Sequence, residues 1–189
     1  MNQAVQDFVA RVLRPVDVAG KDVLEVGSLD VNGSVRPHVA SLGPRIYLGV
    51  DSCPGPRVDR VVDCCGLVET LGIDTFDVVI STEMLEHVYD WRSAVWNMVH
   101  VLRRNGVLVL TTRSPGFGFH AFPEDHWRYT ERDVLQIARA AGLQYPVVAV
   151  DPDPGVFLLA YKPAWWTPFS PSVWNDIHPE PVPLPSAPS

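Results

Sequence analysis

The sequence has little cysteine, almost no lysine and no long apolar run. Its three cysteines, Cys53, Cys64 and Cys65, form no C-x-x-C pair, which excludes a disulfide framework or a zinc cage built on that motif. Read as small buried hydrophobes, they fit a reducing compartment, and a cytoplasmic protein is expected. No stretch approaches the roughly 18 consecutive apolar residues of a membrane span. Gln3, Gln6, Asp7 and Arg11 interrupt the apolar core that a signal peptide would need. No membrane association is expected. Lysine occurs only at Lys21 and Lys162 among 15 cations, and 22 acids bring the formal charge to −7. An acidic chain without a basic stripe is poorly suited to a phosphate backbone, so no nucleic-acid partner is expected. Charged residues are 20% and apolar residues 47%, the balance of a folded chain rather than a disordered one. A chain of 189 residues makes one domain with a sizeable core.

Proline is what the sequence has in excess. Eight of its 18 prolines fall in residues 163–189, together with Trp165, Trp166, Phe169 and Trp174. Composition thus separates a domain over 1–162 from a Pro/Trp-rich tail over 163–189. The prolines exclude helix over much of the tail. Its aromatics suit either a segment wrapped back on the core or a docking segment for a partner or a second subunit, as in a homodimer. Pro179 to Ser189 is expected to be disordered.

Apolar spacing predicts a helix over 2–14 stopped by Pro15, with the sheet-forming core starting at about residue 20. Strands are predicted over 22–26, 45–50, 57–62, 76–80 and 107–111, with helical segments at 35–42, 66–71 and 91–102 between them. A long loop over 112–129 leads to a helix opened by Thr130, with Asp133 three residues on as a variant capping box. Two last strands, 146–150 and 156–161, flank the turn residues Asp151-Pro-Asp-Pro-Gly155. Strands alternating with helices imply an α/β, Rossmann-like, doubly wound sheet with helices on both faces. The sheet should have seven strands, mostly parallel, with the last antiparallel because so short a turn cannot make a parallel crossover.

Ligands of such sheets bind at the carboxyl ends of the strands. Three strands end at or beside an acid: Glu25, Asp51 and Asp63. Ionised carboxylates only accept hydrogen bonds, so their ligand should be rich in donors, such as ribose hydroxyls or an amine. The dinucleotide fingerprint G-x-G-x-x-G fails, because Leu29 and Asn32 stand at two of its three glycine positions. No Walker loop is present. A ligand with an adenosine but no pyrophosphate fits best.

Val23-Leu-Glu-Val-Gly27, Gly49-Val-Asp-Ser52, Val62-Asp63 and Phe76-Asp-Val-Val-Ile-Ser-Thr-Glu-Met-Leu-Glu-His-Val88 resemble a class I S-adenosylmethionine-dependent methyltransferase, nearest the type 11 methyltransferase domain. Leu102-Arg-Arg-Asn-Gly106 and His120-Ala-Phe-Pro-Glu-Asp-His-Trp-Arg-Tyr-Thr130 extend the resemblance, which covers roughly residues 20–162. It implies S-adenosyl-L-methionine as cofactor. It assigns Glu25, Gly27 and Ser28 to the loop under the methionine part, and Asp51 and Ser52 to the ribose. It assigns Asp63 and Cys64 to the adenine, and Ser81 and Glu83 to the methionine end. The family's first loop usually carries further glycines where this chain has Leu29 and Val31.

Methyl transfer needs orientation and a dry pocket more than a protein nucleophile. If the acceptor is a hydroxyl, a general base helps, and His87 and His120 are the candidates. His126, Trp127 and Arg128 are candidate acceptor contacts. Two readings stand for Arg128: an acceptor ligand, or a brace paired with Asp125. Glu86 reads equally well as a solvated helix residue. His120, Glu124, Asp125 and His126 match no standard metal spacing, so no metal is expected. Ser81-Thr-Glu-Met84 stands where amino-methyltransferases of DNA and RNA carry a Pro-Pro motif. A small molecule or sugar, methylated at oxygen, is therefore the expected acceptor. The alternative is a methyltransferase-like protein used for binding or assembly.

Overall fold

The computed structural model describes residues 3–183. Its seven-stranded sheet consists of β1 (Asp22–Val26), β2 (Ile46–Asp51), β3 (Arg60–Val61), β4 (Phe76–Thr82), β5 (Leu102–Arg113), β6 (Gln144–Asp151) and β7 (Gly155–Tyr161). Their order across the sheet is β3-β2-β1-β4-β5-β7-β6. The pairs from β3 to β5 are parallel, whereas β7 is antiparallel to both of its neighbours. The sheet therefore has the architecture expected from the sequence. The chain runs outward through β1, β2 and β3, then returns to place β4 beside β1. That reversal opens a crevice at the carboxyl ends of β1 and β4.

Period-two alternation sorts each strand between two cores. Leu24, Val26, Val79, Leu108, Leu110 and Leu158 face one side. Val23, Val78, Ile80, Val107, Val109 and Phe157 face the other. The second face is covered by α1 (Gln3–Val12) through Val5, Phe8 and Val9, and by α3 (Arg36–Ser41) through Val39. The first face takes α4 (Leu67–Leu71), α5 (Trp91–Val101) and α6 (Glu131–Ala140). Thr130 caps α6 as expected: its Oγ1 accepts from Asp133 N–H, and the Asp133 carboxylate accepts from Thr130 N–H at 2.8 Å. Among the described residues no helix is long and apolar enough to cross a membrane.

Three boundaries differ from the sequence reading. Pro15 ends nothing by itself: α1 stops at Val12, and Pro15 opens α2 (Pro15–Val18) at a first-turn position that needs no N–H. β3 is only Arg60–Val61, because Arg57 upstream of it takes φ 71° and breaks the extended run. β5 begins at Leu102, not 107.

The tail lies on the α5–α6 face. Trp166 and Trp174 are buried in the core there. Trp174 Nε1 donates to Ile137 O and Trp166 Nε1 to Ala141 O, so the two indoles stop the end of α6. Arg92 donates to the carbonyls of Trp174 and Ile177. Lys162, whose side chain is fully buried, donates Nζ to Asp74 and to Val99 O and lies 3.9 Å from the Trp166 ring centroid. The sequence reading left 179–189 disordered. In the structure Glu180–Pro181 pairs antiparallel with Trp127–Arg128, because Val182 N–H and His126 O extend that short ladder. Residues 184–189 lie outside the described residues.

Candidate active site

A cavity of about 380 Å³ opens at the carboxyl ends of β1, β2 and β4, within the usual size range of small-molecule sites. One half is built by the turns after β1 and β2. Gly27 has φ 78°, and a Cβ there would meet the Met84 side chain at 2.6 Å, so no other residue fits without displacement. Gly27 and Ser28 both donate their N–H to Val50 O. Asp30 Oδ1 accepts from Gly33 N–H at 2.8 Å and closes the 28–33 loop without the missing glycines. Asp51 holds this half together: one carboxylate oxygen accepts from Leu29 N–H and the other from Cys53 N–H. A carboxylate has about four lone-pair positions, so two remain for a ligand.

The other half is built by β4, β5 and the 114–129 loop. Glu83 has φ 53° just after β4, a left-handed conformation uncommon outside glycine. Its carboxylate accepts from Thr111 Oγ1 and pairs with Arg113 Nη2 at 2.5 Å. Burial and the neighbouring Glu86 charge push the Glu83 carboxyl up to about 7 despite Arg113. Glu86 is not a solvated helix residue: it is completely buried. Its Oε2 accepts from Thr112 Oγ1 at 2.8 Å. Its Oε1 has no hydrogen-bond partner. Burial works against its charge, but His120, His87 and the Thr112 hydroxyl outweigh it and hold the carboxyl below its usual range.

His87 and His120 stand over Glu86, their ring centroids 4.8 Å apart. His87 Nδ1 is 2.6 Å from Glu124 O, so that nitrogen carries the proton and donates it. His120 Nδ1 is 3.2 Å from Asp125 Oδ2. Glu86 foremost, with Asp125, raises the His120 imidazole above its usual value, against its own burial. Asp125 is locked in turn by Arg128, which reaches both its oxygens at 2.6 and 2.7 Å. Arg128 spends its remaining donors on the carbonyls of Phe117, Gly118 and Trp127.

The cavity brings together Gly27, Asp51, Ser52, Cys64, Glu83, His87 and His120 among the residues singled out from sequence. It does not bring in Glu25, which lies behind β1 and accepts from Tyr47 Oη at 2.8 Å. Burial pushes the Glu25 carboxyl up to about 7. Ser28 and Ser81 are buried beside the cavity rather than lining it. The Asp63 carboxylate turns away to accept from Cys65 N–H at the start of the helical turn Cys64–Gly66. His126, Trp127 and Arg128 also stay outside. His126 N–H donates to Glu86 O, Trp127 Nε1 donates to Val88 O, and Arg128 is the brace just described. The chain's own groups thus hold all three, rather than leaving them open to an acceptor.

Sequence reasoning missed Met84 and Phe122 as lining residues, and left Arg113 without a role. Thr82 and Arg113 end β4 and β5, where the strand-end rule places ligand contacts. Phe122 reaches the cavity from a loop without periodicity and left no signal. Two observations fit an adenosylated ligand: the spare lone pairs of Asp51, and Thr82 Oγ1, which is buried at the cavity wall with no hydrogen-bond partner.

Strand order, a single antiparallel strand and a crevice at the point where the order reverses define a class I S-adenosylmethionine-dependent methyltransferase fold. Residues 24–110 match the model of the methyltransferase domain family. Among solved structures it is similar to 1,6-didemethyltoxoflavin-N1-methyltransferase from Burkholderia thailandensis, with bound 1,6-didemethyltoxoflavin and S-adenosylhomocysteine. The TM-score is 0.64 at 20% identity, over 86% of this chain and 80% of that one. An S-adenosylmethionine-dependent methyltransferase from Archaeoglobus fulgidus matches with TM-score 0.68 at 13% identity, over 85% and 94% of the two chains. The [4+2]-cyclase SpnF matches with TM-score 0.64 at 17% identity, over 85% and 80%. No curated protein matches the sequence at a significant level.

Proposed function

We propose that the protein is an S-adenosylmethionine-dependent methyltransferase acting on an oxygen of a small-molecule or sugar acceptor. The observation that carries this reading is a single cavity with a ribose-competent carboxylate, Asp51, at one end and a buried Glu86–His87–His120 cluster at the other. When bound, the cofactor supplies a sulfonium methyl group as the electrophile. Asp51 would hold the ribose hydroxyls, and Gly27 lets the backbone approach the ligand. Leu29 and Val31 give the first loop an apolar side facing the cavity. Cys64 and Val62 flank the adenine end. At the far end the Glu86–His87–His120 cluster meets the acceptor hydroxyl and governs its proton, while Arg113 and Glu83 fix the floor beneath.

Calorimetry tests the reading. Micromolar binding of S-adenosylhomocysteine is expected, and Asp51→Ala should remove it. No binding of either S-adenosylmethionine or S-adenosylhomocysteine by the intact chain would overturn it. It would favour the second reading, a methyltransferase-like protein for binding or assembly. That reading draws on Leu29 and Val31 in the first loop and on a cyclase among the fold neighbours. The tail bears on partners as well. Trp166 and Trp174 are spent inside the molecule, while Trp165 is exposed and left for any docking role.

A further inference from the structure

The geometry points to a divalent-cation site formed by Glu86 Oε1, His87 Nε2 and His120 Nε2. These three atoms lie within 4.8 Å of one another. Glu86 Oε1 is 3.9 Å from His87 Nε2 and 3.7 Å from His120 Nε2. Both distances are those of loose ion pairs and exceed hydrogen-bond length, so among the described residues the carboxylate oxygen has no hydrogen-bond partner. A completely buried carboxylate oxygen without a hydrogen-bond partner is unfavourable, the more so when charged. Bonds of about 2.0–2.2 Å from one ion would reach all three atoms after small side-chain rotations.

The outer contacts support the same occupant. A histidine that ligates a metal donates its other ring N–H to a carbonyl or a carboxylate, which fixes the tautomer and aims the free lone pair. His87 does this to Glu124 O and His120 to Asp125, and Arg128 locks Asp125 in place. The second oxygen of Glu86 is held by Thr112. Each of the three donors is therefore positioned by its own neighbour, with its lone pair turned toward a common point. Two imidazoles with one carboxylate suit a first-row divalent ion such as Mn²⁺, Fe²⁺, Co²⁺ or Zn²⁺ better than Mg²⁺ or Ca²⁺, which prefer all-oxygen shells. The sequence pattern hid the set, because spacing groups His120 with Glu124, Asp125 and His126. The fold groups it with Glu86 and His87.

His87 and His120 line the cavity while Glu86 lies behind them. The open positions of the ion thus face the acceptor end. Three protein ligands leave room for two oxygens from one molecule, so the acceptor class is a vicinal diol, as in a sugar. As ligands the imidazoles take no proton. An ion held by Glu86, His87 and His120 would supply Lewis acidity toward the acceptor hydroxyl. This use rests on the proposed methyl transfer; the site itself does not.

The test is Mn²⁺ titration of the full cofactor-free chain, read by the electron-spin resonance of free Mn²⁺. Mn²⁺ avoids the separate Asp63–Cys64–Cys65 cluster, whose thiols would attract softer ions. One equivalent should bind. Glu86→Gln, which keeps the Thr112 bond, and His120→Gln, on a half-exposed ring, should each weaken binding at least 100-fold. Cys64→Ser with Cys65→Ser should leave it unchanged. Asp51→Ala should abolish cofactor binding and leave Mn²⁺ binding intact, which separates failure of this site from failure of the methyltransferase reading. The inference is overturned if the wild-type chain takes up no Mn²⁺, if both Glu86→Gln and His120→Gln bind it as tightly as wild type, or if the cysteine variant loses it.

Discussion

The two halves of the cavity are built on different principles. The half after β1 and β2 is mostly backbone: Gly27, the Asp30–Gly33 turn, and Asp51 holding two N–H groups. Its acids are partly or fully exposed, and its walls at Leu29, Val31 and Cys53 face solvent. The half after β4 and β5 is mostly side chain, and buried: Glu83, Glu86, Arg113, Asp125 and Arg128 all interlock away from water. Water screens the first half, so losing a contact there should cost binding but little stability. The second half is desolvated, and a charge left there without its partner should cost the fold itself.

Arg128→Ala presses hardest on this contrast. It leaves the Asp125 carboxylate buried beside His120 with its main partner gone, and a loss of about 3–5 kcal/mol is expected in chemical denaturation. A change under 1 kcal/mol would mean that the acceptor half is no more desolvated than the other.

Glu25, behind the cofactor half, sharpens it. Its folded carboxyl titrates at about 7 against an ordinary value of 4.5. The native state therefore binds more protons than the unfolded one between those values. Stability should fall as pH rises from about 4.5 to 7 and then level off. Glu83 is raised to the same range, so Glu25→Gln should roughly halve that slope and stabilise the protein at pH 8 by on the order of 2–3 kcal/mol. Denaturant midpoints of both proteins at pH 5 and pH 8 would show it. An unchanged slope in the variant would remove Glu25 as its source.

Asp51→Ala is expected to weaken S-adenosylhomocysteine binding roughly 100-fold, about 2.7 kcal/mol, which takes a micromolar affinity out of calorimetric range, with the unfolding midpoint nearly unmoved. A large drop in the midpoint would erase the distinction between the halves. The smallest effect should come from Leu29→Gly. Leu29 packs closely on the 55 turn, and glycine adds about 0.5–1 kcal/mol of backbone entropy to be lost. Calorimetry should show binding weakened about two- to fivefold. Tighter binding would show that the leucine obstructs the loop.

Much of the frame was legible in the sequence because it depends on local periodicity. The alternation in Phe76–Thr82 and Val107–Leu110 reads directly as strands buried on both faces. The Thr130–Asp133 cap and the acid ending β2 are likewise local signals. Less of the site was legible, because it depends on which loops meet. Nothing in the chain order says that His120 faces Glu86 across 34 residues. Nor does it say that Asp63 turns to cap its own helical turn, or that Trp127 Nε1 is spent on Val88 O. Pro179 onward reads as unstructured, since a two-residue ladder to a distant loop has no periodicity to reveal it.

That ladder bears on the order in which the molecule can be completed. His126 hands its N–H to Glu86 O and takes the N–H of Val182, so the edge of the pocket is closed by residues that follow it by more than fifty positions. On the ribosome, where synthesis runs from the N-terminus, the sheet can assemble well before that edge is covered. The pocket's edge is then completed only when the segment from Trp174 to Val182 docks. Until then the nascent domain displays the apolar seat of Trp174, a marker by which folding factors can tell an unfinished chain from a finished one.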